Sequence, residues 1–171
     1  MFEFWLTIAC EPRAVRLCAA QERFRHAVGG LWSRWQSEAA RSLAQRAQEL
    51  LAQFGNETVM LEQKTGRLPA FDRLHLADAM DDRRVCLVAD GQGQRWCVLV
   101  HEGTIEEADI AAFERFCRAQ LPRPSRKVVV PRCGLDLNAR LIAKEANMWV
   151  WEPATLNVLL RLFGHPPLRA V

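Results

Sequence analysis

Cys86, Cys97 and His101 are the residues of this chain whose types and spacing come nearest to a chemical site. They lie in Arg83–Gly103, where two apolar runs, Val85–Ala89 and Trp96–His101, flank Asp90-Gly91-Gln92-Gly93. That tetrapeptide supplies residues that tolerate the positive φ of a tight hairpin. A turn symmetric about it sets Cys86 opposite Cys97, and strand alternation then puts Cys86, Cys97, Leu99 and His101 on one face. Two thiols and an imidazole are ligands that Zn²⁺ favours. The spacing offers no fourth ligand, however, and two buried thiols beside a hydrogen-bonded histidine are the plainer reading, so no metal is assigned. A Cys86–Cys97 disulfide is the other possibility, and a reducing cytosol argues against it. His101 as a general base needs a substrate pocket and an orienting partner. His26, His75 and His165 join no motif, no serine has a Gly-x-Ser-x-Gly setting, and Gly91 and Gly93 precede no Gly-Lys-Ser/Thr phosphate loop.

Two other groups of side chains carry charge that could act. Asp90 and Glu102 lie near the two ends of the hairpin, and Asp78, Asp81 and Asp82 precede it. The span Arg118–Lys144 holds seven basic residues, Arg118, Arg123, Arg126, Lys127, Arg132, Arg140 and Lys144, against the single acid Asp136. Glu57–Glu114 holds twelve acids against six bases, although the whole chain carries only +3. Such an uneven spread fits a side that meets a polyanion, and equally a solvated surface.

The elements that must position these groups follow from periodicity and punctuation. Met1–Cys10 reads as a strand or helix start, and Pro12 opens a helix that Gly29-Gly30 ends. Ser33–Phe54 carries an apolar stripe from Trp35 to Phe54 and reads as one long helix, with Ser33 and Gln36 as its capping box. Glu57–Leu61 is a strand. Lys64–Asp82 is broken by Gly66 and Pro69 and suggests at most a helical turn near Asp72–Met80. After the hairpin, Thr104-Ile-Glu-Glu107 caps a helix that Pro122 stops, and Val128-Val-Val130 marks a buried strand. Asp136 or Asn138 caps the next helix. Met148–Trp151 is a short strand that sets Trp149 and Trp151 on one face, and Pro153–Phe163 closes the chain as a helix ended by Gly164. A strand–helix–strand crossover after a hairpin implies a mixed sheet of about five strands flanked by helices, an α/β fold.

The 171 residues suit one domain with a substantial core, and half of them are hydrophobic. No apolar run reaches the roughly 18–20 residues of a bilayer span, and Glu3 sits where a signal peptide carries positive charge. A soluble, cytoplasmic protein with no membrane partner is therefore expected. Its six scattered cysteines then act as small buried hydrophobes.

This order of elements, with these stretches, resembles the restriction-endonuclease-like superfamily, the PD-(D/E)xK nucleases, in its Mrr-like branch. Glu38 stands early on a long helix, as a glutamate does in many members. Arg84-Val-Cys-Leu-Val-Ala89 resembles the strand that carries the metal-binding aspartate, and Trp96–His101 the strand that carries the Glu-x-Lys pair. Thr104–Phe116, Lys127–Pro131, Asp136–Ala146 and Met148–Leu160 resemble the elements that follow. The resemblance covers residues 31–164, a three-layer nuclease-like domain, with 1–30 as an N-terminal extension and 165–171 as a loose tail. Its functional residues do not carry over. The positions of aspartate, glutamate and lysine are held by Cys86, Leu99 and His101. The family's chemistry needs acidic oxygens for Mg²⁺, so the resemblance implies a catalytically inactive nuclease fold, without cofactor, that binds nucleic acid or a protein partner, or pairs with a second copy, in a defence or mobile-element type of assembly. The basic set from Arg118 to Lys144 is then the nucleic-acid side. The alternatives are a Mg²⁺-dependent DNA endonuclease with a displaced site built from Glu38, Asp90 and Glu102, and a purely structural subunit.

Overall fold

The computed structural model describes residues 21–61, 64–81 and 83–168. The expectations for Met1–Cys10, for the start of the first helix at Pro12 and for Asp82 fall outside them. The chain divides into two compact units, residues 1–40 and 41–171.

The described element of the first unit is α1 (Gln21–Ala39). It runs through Gly29-Gly30, where the sequence suggests a stop. Both glycines face open space, and the stacked rings of Trp32 and Trp35, 5.4 Å apart and 8° from parallel, bridge the next turn. A pair three residues apart offsets part of the roughly 1 kcal/mol that each helical glycine costs.

In the second unit, α2 spans Leu43–Ala52. The single helix expected over Ser33–Phe54 is thus interrupted, and the capping box is built by Ser42 and Gln45, nine residues beyond the one expected. Ser42 Oγ accepts the Gln45 N–H at 3.2 Å and Gln45 Oε1 accepts the Ser42 N–H at 3.1 Å. β1 (Glu57–Leu61) and β2 (Lys64–Leu68) form a separate antiparallel pair. The main sheet has the order β3-β4-β5-β6-β7, with β3 (Arg73–Asp81), β4 (Arg84–Gly91), β5 (Gln94–His101), β6 (Arg126–Pro131) and β7 (Trp149–Val150). β3, β4 and β5 are antiparallel, while β6 and β7 continue parallel to β5. The expected five-stranded mixed sheet is present, but its first strand is β3, where the sequence suggests a helical turn. Backbone pairing with β4 outweighs the weak local preference of Arg73–Asp81.

The hairpin turns on Gln92 and Gly93, both at positive φ (50° and 74°), a two-residue loop matched to strand twist. Its centre therefore sits one residue later than a turn symmetric about Asp90–Gly93 would place it. Cys86 lies opposite Leu99, and Cys97 opposite Val88. A pairing displaced by two residues preserves the faces, so Cys86, Cys97 and Leu99 do share one side. Gly91 is needed at the turn, because a Cβ there would stand 2.2 Å from the Ala70 carbonyl oxygen.

α3 (Glu107–Ala119) and α4 (Leu137–Glu145) cover the face of Cys86, Val88, Cys97, Leu99 and Val129. The other face, with Leu87, Trp96, Val98, Val100, Val128 and Val130, packs on α2 and on α5 (Pro153–Leu162). Burial on both sides explains why β4, β5 and β6 read as unbroken apolar runs. The segment after Gly164, expected to be loose, is anchored as far as Leu168. Its N–H meets Asn157 Oδ1 at 2.5 Å, and Arg46 donates to the Pro166 carbonyl. No helix among the described residues is long and apolar enough to cross a membrane.

Candidate functional site

The face that carries Cys86 and Leu99 is dry: both residues are fully buried under α3. α3 adds a third thiol that spacing did not reveal. Cys117 hydrogen-bonds Cys97, which holds the Cys97 thiol below its usual range and, together with burial, pushes the Cys117 thiol up. Cys86 and Cys97 are not joined by a disulfide. His101 ends this face. Its Nδ1 accepts the Gly103 N–H at 2.9 Å, and its Nε2 lies 3.9 Å from Asp109 Oδ2. Asp109, on the first turn of α3, accepts from Arg84 Nη1 at 2.7 Å and from the Glu106 N–H at 2.9 Å. Arg84 is the residue opposite His101 in the ladder. Arg84, Asp109 and His101 thus tie two strands and a helix together, and both ring nitrogens of His101 face groups of this chain.

Asp90 and Glu102 are held apart. Asp90 pairs with Arg95 across the turn, through Oδ1 at 2.6 Å and Oδ2 at 2.9 Å. This hydrogen bonding, with the Arg95 charge behind it, keeps the Asp90 carboxyl below the usual carboxylate range. Glu102 follows β5 at its other end, seven residues beyond Arg95 and so roughly 23 Å away along the strand. Its Oε1 accepts the Leu43 N–H at 2.7 Å and caps α2. Glu38 belongs to α1 in the first unit. Asp78 and Asp81 lie on β3, opposite Cys86 and Arg84. Among the described residues no three His, Cys, Asp or Glu side chains are grouped to hold a metal ion.

The seven basic residues separate into four places. Lys127 and Arg118 share Glu114, at 2.8 Å and 3.3 Å. Burial alone would raise the Glu114 carboxyl, but the hydrogen bonds and charges of Lys127 and Arg118 bring it below its usual value. Arg123 stands exposed on the loop after α3, and Arg132 lies past the far end of β6, six residues and roughly 20 Å from Arg126. Arg126, Arg140 and Lys144 converge.

These three line a cleft of about 400 Å³ beside β7. Its apolar part is formed by Met148, Trp149, Val150 and Trp151, and Leu61, Thr65 and Gly66 of the β1–β2 pair wall the other side. The Arg126 guanidinium lies over the Trp149 ring, 4.3 Å from its centroid, a cation–π contact that fixes both side chains. Gly66 lets Trp149 approach: a Cβ there would stand 2.5 Å from the indole. Trp96 packs edge-on at 5.5 Å from Trp149, inside the core. Arg140 and Lys144, one turn apart on α4, share a helix side. Arg140 Nη2 reaches Glu152 Oε1 at 2.5 Å, and Lys144 has no acidic partner among the described residues. Trp151 is 1% exposed, and its indole N–H meets no acceptor there.

The Arg140–Lys144 spacing was readable from the sequence. The stacking of Arg126 on Trp149 needed the β6–β7 register, in which Val128 faces Trp149. The Asp109–Arg84 pair, 25 residues apart in sequence, had no local signal. No protein-family model, curated protein or solved structure matches this chain.

Proposed function

We propose that this chain has a restriction-endonuclease-like fold that holds nucleic acid without cutting it. The reading of the fold draws on the mixed sheet with helices on both faces and on the sequence resemblance. The observation that carries the binding reading is the convergence of Arg126, Arg140 and Lys144 with Trp149 in one cleft. Cations neutralise phosphates, and aromatic rings or guanidinium planes accept bases without regard to sequence. Phosphodiester cleavage by a metal nuclease needs oxygen ligands for the ion and a polarised water. The strands that would supply them present Cys86, Leu99 and His101 instead.

The test is fluorescence anisotropy of labelled DNA and RNA at two salt concentrations, followed by gels of the same substrates with Mg²⁺ or Mn²⁺. Binding without cleavage is expected, with a log K against log salt slope of about −2 to −3 for three phosphate contacts. Lys144→Glu should make that slope about one shallower. Metal-dependent cleavage lost in Asp90→Ala or Glu102→Ala would replace this reading with the endonuclease one. Salt-insensitive or absent binding would remove it.

A second reading, a protein partner or a second copy, is favoured by Leu137 and Leu141. They stand one turn apart on the outer side of α4, 73% and 54% exposed. Sedimentation of the wild type against Leu141→Glu tests it: a faster species lost in the variant supports a second copy.

A further inference from the structure

The cleft is bounded on several sides, and its charge is concentrated rather than strung along a track. We infer that it takes a single nucleotide by a terminal phosphate monoester, not a length of continuous backbone. This rests on the nucleic-acid reading above and narrows it to the end of a strand.

Two observations carry it. The first is charge. Arg126, Arg140 and Lys144 bring three positive charges to the cleft, and Glu152, paired to Arg140, brings one negative. The net of two positive charges matches a phosphate monoester near pH 7, which carries about −1.5 to −2. An internal phosphodiester carries only about half of that. The second is size and lining. About 400 Å³ lies within the range of small-ligand pockets, roughly 300–1,000 Å³. It admits one nucleotide and no duplex. The planar surface it offers is the Arg126 guanidinium stacked on Trp149, and both guanidinium and indole planes accept a base.

Two sources offer this chemistry: a free nucleoside monophosphate, and the phosphorylated end of a strand. We favour the strand end, because exposed Arg123 lies on the loop leading into β6 and provides a further cation for the nucleotide behind it.

The test uses the full chain and follows tryptophan fluorescence. The probes are deoxythymidine monophosphate, thymidine, inorganic phosphate, a thymidylate octamer with and without a 5′-phosphate, and a duplex closed by loops at both ends. The phosphorylated octamer is expected to bind at least tenfold more tightly than the unphosphorylated one, with the monophosphate weaker but measurable and thymidine and inorganic phosphate weaker still. Lys144→Gln and Arg140→Gln, both on exposed positions, should each remove most of the phosphate preference. Arg132→Gln, at the far end of β6, should leave it unchanged. Equal binding of both octamers and of the closed duplex would overturn the inference and leave nucleic-acid binding standing. Binding of the monophosphate with no octamer bound would retain the pocket chemistry and overturn its assignment to strand ends. Inorganic phosphate binding as tightly as the monophosphate would overturn the nucleotide assignment. If no probe binds, both readings fall together.

Discussion

Charged side chains near the hairpin are committed to partners, and each commitment makes a pH or stability signature. Asp90 is the clearest case. Its carboxyl is held below the usual range by hydrogen bonds from Arg95. A depressed folded-state pKa means that the unfolded chain binds the proton more readily. The stabilisation is therefore complete above the unfolded value, about 4, and is lost as pH falls through the lower folded value. Asp90→Asn should lower stability near pH 7 by about 1 kcal/mol, in line with partly exposed pairs. At pH 2 the wild type and the variant should differ much less. Urea unfolding at the two pH values checks this, and an equal loss at both would mean that the carboxylate charge is not what Arg95 holds. Cys86 and Leu99 stand in a different position. They are fully buried, so a carboxylate introduced at Leu99 would be an unpaired charge in an apolar core. The absence of acid there is thus continuous with the packing of the whole face.

At the scale of elements, caps and register decide more than propensity does. α2 begins at Ser42 because its hydroxyl and the Gln45 side chain satisfy one another's N–H groups, and Glu102 then reaches across from the end of β5 to the Leu43 N–H. Glu102 is therefore a cap supplied by the sheet. Ser42→Ala should cost about 1 kcal/mol. Glu102→Ala should cost a similar amount, and Glu102→Gln much less, because an amide oxygen still accepts. Denaturant midpoints measure the series, and a Gln variant as unstable as the Ala variant would assign Glu102 to a role that needs its charge. The same contrast between local and distant determinants explains what the sequence revealed. The hairpin, β6, α4 and α5 were legible because alternation, the Val128–Val130 run, the Asp136 cap and Pro153 are all local. β2 and β3 were not, because Gly66, Pro69 and the acidic end of β3 weaken any local strand pattern, and only pairing with β1 and β4 makes them strands. The break between α1 and α2 is masked in the sequence, although Ser42 and Gln45 carry the capping signature, because the apolar stripe continues past it. In the cleft, Arg140 and Lys144 followed from helical spacing, whereas Trp149 joined them only through the β6–β7 register and the hairpin that brings Gly66 to it.

For the whole molecule, the distribution of the core predicts what can be removed. Both buried clusters are built from residues at Leu43 and beyond, and the sheet, the four helices on it and every residue lining the cleft belong to the unit 41–171. A chain beginning at Arg41 keeps the Ser42 cap, the Arg41–Glu49 ion pair and the Glu102 contact to α2. It loses none of the apolar burial within these clusters, and that burial is the dominant favourable term in folding. Such a fragment is expected to unfold cooperatively and to melt within about 4 °C of the full chain, since 1 kcal/mol shifts the midpoint of a domain near this size by a few degrees. It should also keep the fluorescence response to the phosphorylated octamer. A fragment that melts without cooperativity would mean that α1 completes the core. A cooperative fragment that has lost the octamer response would place part of the binding surface in the first forty residues. Retention of both would locate fold and binding together in the sheet and the helices that cover it, and would leave the role of α1 to be sought in some other contact than the one with nucleic acid.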